Sequence, residues 1–382
     1  MAGELNSRGH PSLIPRRGLP GMRRRLAGNG PVTAAFLGGS ITEGAGASEA
    51  EAMSWRALTG AYLQELYAGH PVRCINAGVG GTTSAFGAHR LQEHVLAEGR
   101  IDLLFAEFSV NDGEDRAESI RGMEGIVRQC RRLSPETELV FVYTAADKNL
   151  TGYKPFNIAV HEEVADYYGI PSIDCAAKVY TMIHTGELDW TRFAPDGYHP
   201  LDAGHALYAA LVQEYLEQAI TRGSVQASGE AAQHITGLPS PLDSGNYEYG
   251  GMLDYSAARY SAAFRFQKLK PEEPLMNWRF PAEHACTADP QAEFTFTVTG
   301  QCAGLVLLYG PDSGIIEYSL NGGPFAEINL FDDWCLNAYR PIPVLFPVRT
   351  EREILQVTVR NTERKDSRST GNGLRVLKLL WN

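Results

Sequence analysis

The chain has 382 residues, a formal net charge of −11, and 44% hydrophobic against 21% charged residues. That length exceeds one ordinary hydrophobic core and predicts two domains, in a composition typical of globular rather than disordered proteins. The acidic balance excludes a general nucleic-acid binder, since phosphate affinity needs clustered Lys and Arg.

The one basic run, Arg23-Arg24-Arg25 with Arg16 and Arg17 before it, reads as a solvated segment. Neither a signal-peptide core nor a run of ~18 apolar residues is present, so no membrane partner and a cytoplasmic location are expected. A secreted chain trimmed of its leader would read the same way. Cys74, Cys130, Cys175, Cys286, Cys302 and Cys335 form no C-x-x-C pair. Reduced thiols are expected, with Cys74 and Cys175 in or beside buried strands.

Residues 1–30 read as an N-terminal extension. Over 31–222, short apolar runs at 32–39, 72–77, 101–110, 138–144 and 170–174 alternate with helical patterns at 54–68, 86–98, 117–133, 156–168 and 203–220. This alternation predicts an α/β domain whose parallel sheet is covered on both faces. Residues 223–249, rich in Gly, Ser, Pro and Ala, read as a linker or crossing segment. Beyond 250 the helical period disappears. Strand patterns at 293–299, 304–309, 315–320, 327–330, 354–360 and 374–380, with a turn signal at Asn321-Gly322-Gly323, predict an all-β jelly roll or sandwich over 250–382.

The first strand runs into Gly38-Gly39-Ser40-Ile41-Thr42. In an open α/β sheet, functional residues gather beyond the carboxyl ends of the strands, although a Gly-Ser pair alone is more commonly a turn or an N-cap. The second strand leads to Asn76-Ala77-Gly78-Val79-Gly80-Gly81, the third to Ser109-Val110-Asn111-Asp112, and Asp196-Gly197-Tyr198-His199 follows much later. Ester hydrolysis needs a nucleophile, a base, a group that orients the base, and donors for the oxyanion. Ser40, His199, Asp196 and the pair Gly81 N–H and Asn111 side-chain amide supply all four, with the Ser40 N–H as a third donor.

Other motifs fall away. Gly44-Ala45-Gly46 and Gly78-Val79-Gly80 begin like dinucleotide fingerprints but lack the third glycine, and no P-loop is present. No histidine, from His10 to His284, lies at metal-ligand spacing from another, so neither metal nor cofactor is expected. His205 reads as structural and Asp112 as a loop-ordering acceptor.

These blocks, in this order over roughly 30–220, resemble the SGNH hydrolases, the GDSL-type lipases and acylhydrolases. The resemblance implies a flavodoxin-like three-layer α/β/α domain and acyl transfer through a covalent intermediate. It assigns Ser40 as nucleophile, Asp196 and His199 as acid and base, and Ser40, Gly81 and Asn111 as the oxyanion hole. Two positions depart from the pattern: Gly39 stands where an Asp is usual, and Ser109 where a Gly is usual. The G-G-S-I-T form is nearer the carbohydrate-esterase branch, and the appended β-module resembles carbohydrate-binding modules.

The leading expectation is therefore an acetylesterase acting on a small-molecule or oligosaccharide ester. Among Trp278, Trp334 and Trp381, Trp334 in a polar loop is a candidate sugar contact that reaches the Ser40 cleft. Trp190, just before the Asp196 loop, is a second candidate, while Trp381 is expected to fill core. A short-chain lipase, arylesterase or thioesterase is the alternative, and a glycan-binding protein with a decayed hydrolase domain a third reading. The sequence leaves a homo-oligomer open.

Overall fold

The computed structural model describes residues 11–28, 30–222, 238–276, 280 and 283–382. The readings that touch His10, His234, Trp278 and residues 223–237 lie outside these. The chain divides into two compact units, Met1–Glu248 and Tyr249–Asn382.

The first unit is a six-stranded sheet between helices. Its elements are β1 (Leu13–Ile14), α1 (Pro20–Gly28), β2 (Val32–Gly38), α2 (Ser40–Glu43), α3 (Ala50–Met53), α4 (Trp55–Leu66), β3 (Val72–Gly78), α5 (Ser84–His94), β4 (Leu103–Glu107), α6 (Arg116–Leu133), β5 (Glu138–Tyr143), α7 (Phe156–Tyr168), β6 (Ser172–Asp174), α8 (Cys175–His184), α9 (Trp190–Phe193) and α10 (Asp202–Leu216). The strand order is β1-β6-β5-β4-β2-β3, parallel throughout except for β1. Among the parallel strands this is the flavodoxin-like order, and its topological switch point falls between β2 and β4. β2, β4 and β5 are almost wholly buried, as strands covered by helices on both faces must be.

Several expectations are corrected. Of the segment read as an N-terminal extension, the described residues 11–28 pack as part of the sheet domain. Leu13 and Ile14 pair with Ile173 and Ser172, and the Glu138 carboxylate accepts the Gly21 and Met22 N–H groups at the start of α1 (2.7 and 2.8 Å). Nor is the basic run simply solvated: Arg16 pairs with Glu162 (2.7 Å) and Asp166 (2.6 Å), and Arg25 with Asp102 (3.0 Å). Cys74 is exposed, because β3 is an edge strand whose first half faces solvent, whereas Cys175 is buried beside β6, as expected, and opens α8. All six cysteines are free. The part of the crossing segment nearest its end is docked on α6. Glu124, fully buried, accepts the Leu242 and Asp243 N–H groups, Gln129 donates to Tyr247 O, and Arg128 pairs with Glu248 (2.6 Å).

The second unit is an antiparallel β-sandwich. Its strands are β7 (Gly251–Asp254), β8 (Arg259–Tyr260), β9 (Arg265–Lys268), β10 (Glu283–Thr287), β11 (Glu293–Gly300), β12 (Ala303–Tyr309), β13 (Ile315–Leu320), β14 (Ala326–Asn329), β15 (Arg340–Leu345), β16 (Glu353–Asn361) and β17 (Leu374–Trp381). One sheet runs β15-β12-β17-β10-β9 with β7 beside β17, the other β14-β13-β16-β11-β8. Alternating inward residues such as Phe294, Phe296, Val357 and Val359 meet Leu305, Leu307, Val376 and Leu379 in its core. Asn321 and Gly322, at φ 51° and 70°, make the tight turn between β13 and β14. Among the described residues no helix is long and apolar enough to cross a membrane, and no group of three His, Cys, Asp or Glu side chains could hold a metal ion.

Candidate active site

β2 delivers Gly38-Gly39 to the short helix α2, which Ser40 opens. The turn closes through Glu43 N–H to Gly39 O (2.9 Å) and Gly44 N–H to Ser40 O (3.0 Å), and Gly44 ends it at φ 116°. The strand ends are glycine because α2 crosses them closely. A Cβ on Gly38 would lie 2.3 Å from Thr42 Oγ1, and one on Gly78 would lie 2.3 Å from the Glu43 N.

Buried groups brace this turn from below. Phe36, Phe105 and Trp55 form an aromatic cluster with ring centroids 5.0–6.0 Å apart; each such pair contributes roughly 0.5–1.5 kcal/mol beyond the area it buries. Arg90 of α5 donates to Ala77 O and Gly38 O, the carbonyls at the ends of β3 and β2. At the end of β4, Glu107 is 1% exposed and accepts from the Thr42 hydroxyl (3.0 Å) and the Thr144 hydroxyl (2.8 Å). Burial pushes its carboxyl upward; hydrogen bonds from Thr144, Thr42 and the Gly39 N–H, and the nearby His161, offset that only in part.

His199 comes from the turn before α10. Its Nε2 lies 2.7 Å from Ser40 Oγ and its Nδ1 2.7 Å from Asp196 Oδ2. Asp196 Oδ1 accepts the backbone N–H groups of His199 (2.8 Å) and Tyr198 (3.1 Å). Against a burial penalty that acts upward, these two N–H groups and the His199 ring hold the Asp196 carboxyl below the usual carboxylate range. Gly197, at φ 89°, makes the three-residue turn possible.

Two clips set this turn against the Ser40 loop, more than 150 positions away in the chain. The Asp202 carboxylate accepts the Ser48 N–H and hydroxyl, each at 2.7 Å. His205, fully buried, bridges the Trp55 N–H (3.2 Å) and Ala45 O (3.1 Å), and burial pushes its imidazole down to about 4, which fits the structural part expected of it. On the other side, the Asp147 N–H donates to Gly197 O (2.9 Å), and the Asp147 carboxylate accepts the indole N–H of Trp190.

The other two loops converge on the same strand ends. Gly81, at φ 70°, occupies a conformation that L side chains avoid, although a Cβ there would meet nothing within 4 Å. Its requirement is for backbone freedom, not space. The Gly80 N–H donates to Glu43 Oε2 (2.7 Å). Asn111 and Asp112 close a turn onto Phe108 O (3.1 and 2.9 Å), which ends β4 at Glu107, short of the predicted strand.

The buried Asp112 carboxylate accepts the Ser84 N–H (2.8 Å) and hydroxyl (2.6 Å), the Ser119 hydroxyl (2.8 Å) and His161 Nε2 (2.8 Å). It ties the second and third loops together. Both departures from the family pattern have a packing reason. A Cβ on Gly39 would lie 2.1 Å from Asn111 Oδ1, and Ser109 is fully buried with its hydroxyl directed at Thr144 O (3.4 Å).

Ser40 at the start of α2 and Asp196, His199, Gly81 and Asn111 on loops thus all lie at the carboxyl end of one sheet, and Ser40, His199 and Asp196 are hydrogen-bonded in series. Trp190 sits beside the His199 turn, half-buried, its ring 5.5 Å from that of Phe193. Trp334 belongs to the second unit, on a short turn capped by Asp332, and is 50% exposed. Sequence reasoning missed Glu43, Arg90, Glu107 and Asp147. Their one available signal was placement: each is an ionisable residue at or near a strand end, or faces one from a helix.

Residues 36–207 match the model of the GDSL-like lipase/acylhydrolase family. A solved structure of a two-domain esterase active on acetylated mannans, co-crystallized with mannopentaose, aligns with a TM-score of 0.81 at 21% identity, covering 97% of this chain and 96% of that one. A second structure of a two-domain esterase active on acetylated mannans gives 0.79 at 21% identity, over 97% of both chains. No curated protein matches. Residues 36–207 are thus similar to the GDSL-like lipases and acylhydrolases, and the chain shares its fold with the two aligned two-domain esterases.

Proposed function

We propose that this chain is a serine esterase that removes acetyl groups from saccharides, with Ser40 as nucleophile. The observation that carries the reading is the pair of 2.7 Å hydrogen bonds linking Ser40 Oγ, His199 and Asp196. His199 Nε2 takes the hydroxyl proton as Ser40 Oγ attacks the ester carbonyl. Asp196, kept ionised, holds the other ring nitrogen protonated and stabilises the imidazolium. The carbonyl oxygen, now negative, is met by the Gly81 N–H, the Asn111 amide and the Ser40 N–H. Collapse expels the alcohol with the proton from His199, and water repeats the sequence on the acetyl-enzyme.

The saccharide assignment draws on the shared two-domain fold with an esterase active on acetylated mannans, and on exposed aromatic rings such as Trp334 that could stack on sugar faces. Release of 4-nitrophenol from 4-nitrophenyl acetate, compared with Ser40→Ala, tests the chemistry: an inactive parent or an active variant overturns it. Acetate release from acetylated mannan, acetylated xylan and acetylated monosaccharides, set against a short-chain triglyceride and an acyl thioester, tests the substrate class. Preference for the triglyceride or the thioester would assign the chain to lipids or thioesters instead.

A further inference from the structure

We infer that Glu43 is a positioning residue for the oxyanion site, setting the Gly80–Gly81 loop against the nucleophile; this rests on the reading of Ser40 as an esterase nucleophile. Glu43 is the last residue of α2, one helical turn beyond Ser40. Its Oε2 accepts the Gly80 N–H at 2.7 Å, and a Cβ on Gly80 would lie 3.5 Å from Ser40 Cβ. One side chain therefore joins the helix that carries Ser40 to the loop whose next N–H, that of Gly81, is the proposed oxyanion donor.

The Glu43 backbone is itself held from several directions. Its carbonyl accepts from Asn76 Nδ2 (3.3 Å) and Arg56 Nη2 (3.4 Å), and Arg56 also donates to Thr42 O (3.2 Å). Asn76 Oδ1 in turn accepts the Gly78 N–H (3.0 Å) at the end of β3. The loop it grips is anchored at its ends by Val79 N–H to Gly38 O (3.0 Å) and the Thr82 hydroxyl to Val79 O (2.7 Å), while Gly80 and Gly81 between them are exposed glycines. An oxyanion donor stabilises charge only where it is pre-aimed, and a displacement of about 1 Å can cost on the order of 10²-fold in rate.

The contact depends on reach, not charge, and two substitutions separate these. Glu43→Gln loses the charge but keeps an acceptor oxygen at the same distance; Glu43→Asp keeps the charge and withdraws it by one methylene. After titration of active sites with an organophosphate, kcat on 4-nitrophenyl acetate should fall ~10–100-fold in Glu43→Asp and Glu43→Ala, with KM changed less than about twofold. Glu43→Gln should restore kcat to within about threefold of the parent. A merely structural part would lower the titratable fraction and the melting temperature while leaving kcat per site intact, and that result overturns the inference. So does the reverse order, with Asp active and Gln impaired. A parent whose activity is indifferent to Ser40→Ala would instead overturn the esterase reading, so the two failures are distinct. If Glu43→Ala fails to fold, the Asp and Gln variants decide the matter between them.

Discussion

Restoring the residue that GDSL-type sequences usually carry at position 39 should damage this enzyme. Gly39 has φ −86° and ψ −153°, within the range of an ordinary L residue, so Gly39→Ala or Gly39→Asp introduces no backbone strain. The cost is local: the new Cβ would lie 2.1 Å from Asn111 Oδ1 and 2.9 Å from its Cγ. Contacts that short do not persist, and the Asn111 amide must retreat by about 1 Å or rotate away, either of which removes an aimed donor. Loss of one oxyanion donor costs ~10²–10³-fold in kcat, or about 2.7–4 kcal/mol of transition-state stabilisation. KM should scarcely move, because the bond strengthens only as charge develops. The assay is kcat per titrated site on 4-nitrophenyl acetate for Gly39→Ala, Asn111→Ala and the double variant. Because both changes remove the same donor, the double variant should be no slower than Asn111→Ala by more than about threefold. A Gly39→Ala enzyme with parental kcat, or a double variant whose losses multiply, would refute the argument.

Four further outcomes are expected. Asp196→Asn should keep the fold but lower kcat by roughly 10³–10⁴, because an amide beside Nδ1 no longer enforces the tautomer in which Nε2 accepts the Ser40 proton; a loss below tenfold contradicts the relay. Asp147→Ala should lower kcat ~10-fold without changing the half-saturation for small acetates, since it frees Trp190 beside the Gly197 turn while keeping the backbone bond from the 147 N–H to Gly197 O. Trp334→Ala should weaken action on an acetylated oligosaccharide while sparing the aryl acetate, and equal effects on both would remove that residue from substrate binding. Glu107 supplies a pH test. Its folded value is raised by burial, so the native state holds a proton that the unfolded chain releases above about 4.3, and stability falls as pH rises from there through the folded value. Glu107→Gln lacks that slope, so its melting temperature relative to the parent should improve as pH rises above about 4.3; a difference independent of pH would mean that burial does not raise the folded value of Glu107.

The proposed reacting groups could be picked out because chemistry constrains their type and the sheet constrains their place. Ser40, Gly81 and Asn111 follow successive strands, and a parallel sheet brings successive strand ends together whatever the intervening helices contain. Asp196 and His199 were legible as a pair because a three-residue turn can link them directly. The supports were not, since each acts at long range through a contact that no local spacing encodes. Glu107 looks like an ordinary strand residue until Thr42 and Thr144, 65 and 37 positions away, turn their hydroxyls to it. β1 and α1 were lost for a related reason. Two apolar residues are too short a run to signal a strand, and they pair only because β6 presents an open edge. Cys74 misled because an apolar run does not distinguish an edge strand from a central one.

The same division explains why the Ser40 and His199 loops need two separate clips. In the unfolded chain their encounter closes a loop of 159 residues, whose closure entropy grows only slowly with length; what remains is to hold the Ser40 hydroxyl and the His199 ring at hydrogen-bond distance once closed. Gly46, at φ 92°, packs so closely that a Cβ would lie 2.2 Å from Pro200 O. Together with the Ser48–Asp202 and Ala45–His205 bonds, that contact fixes the separation of the two loops on one side, while Asp147 fixes the His199 turn on the other. His199 itself is only partly buried and Asp196 is more exposed still, so packing around the reacting groups does little of this. The precision of an open site must come from its margins, and those margins are where substitutions should lower kcat without touching any group that meets the ester.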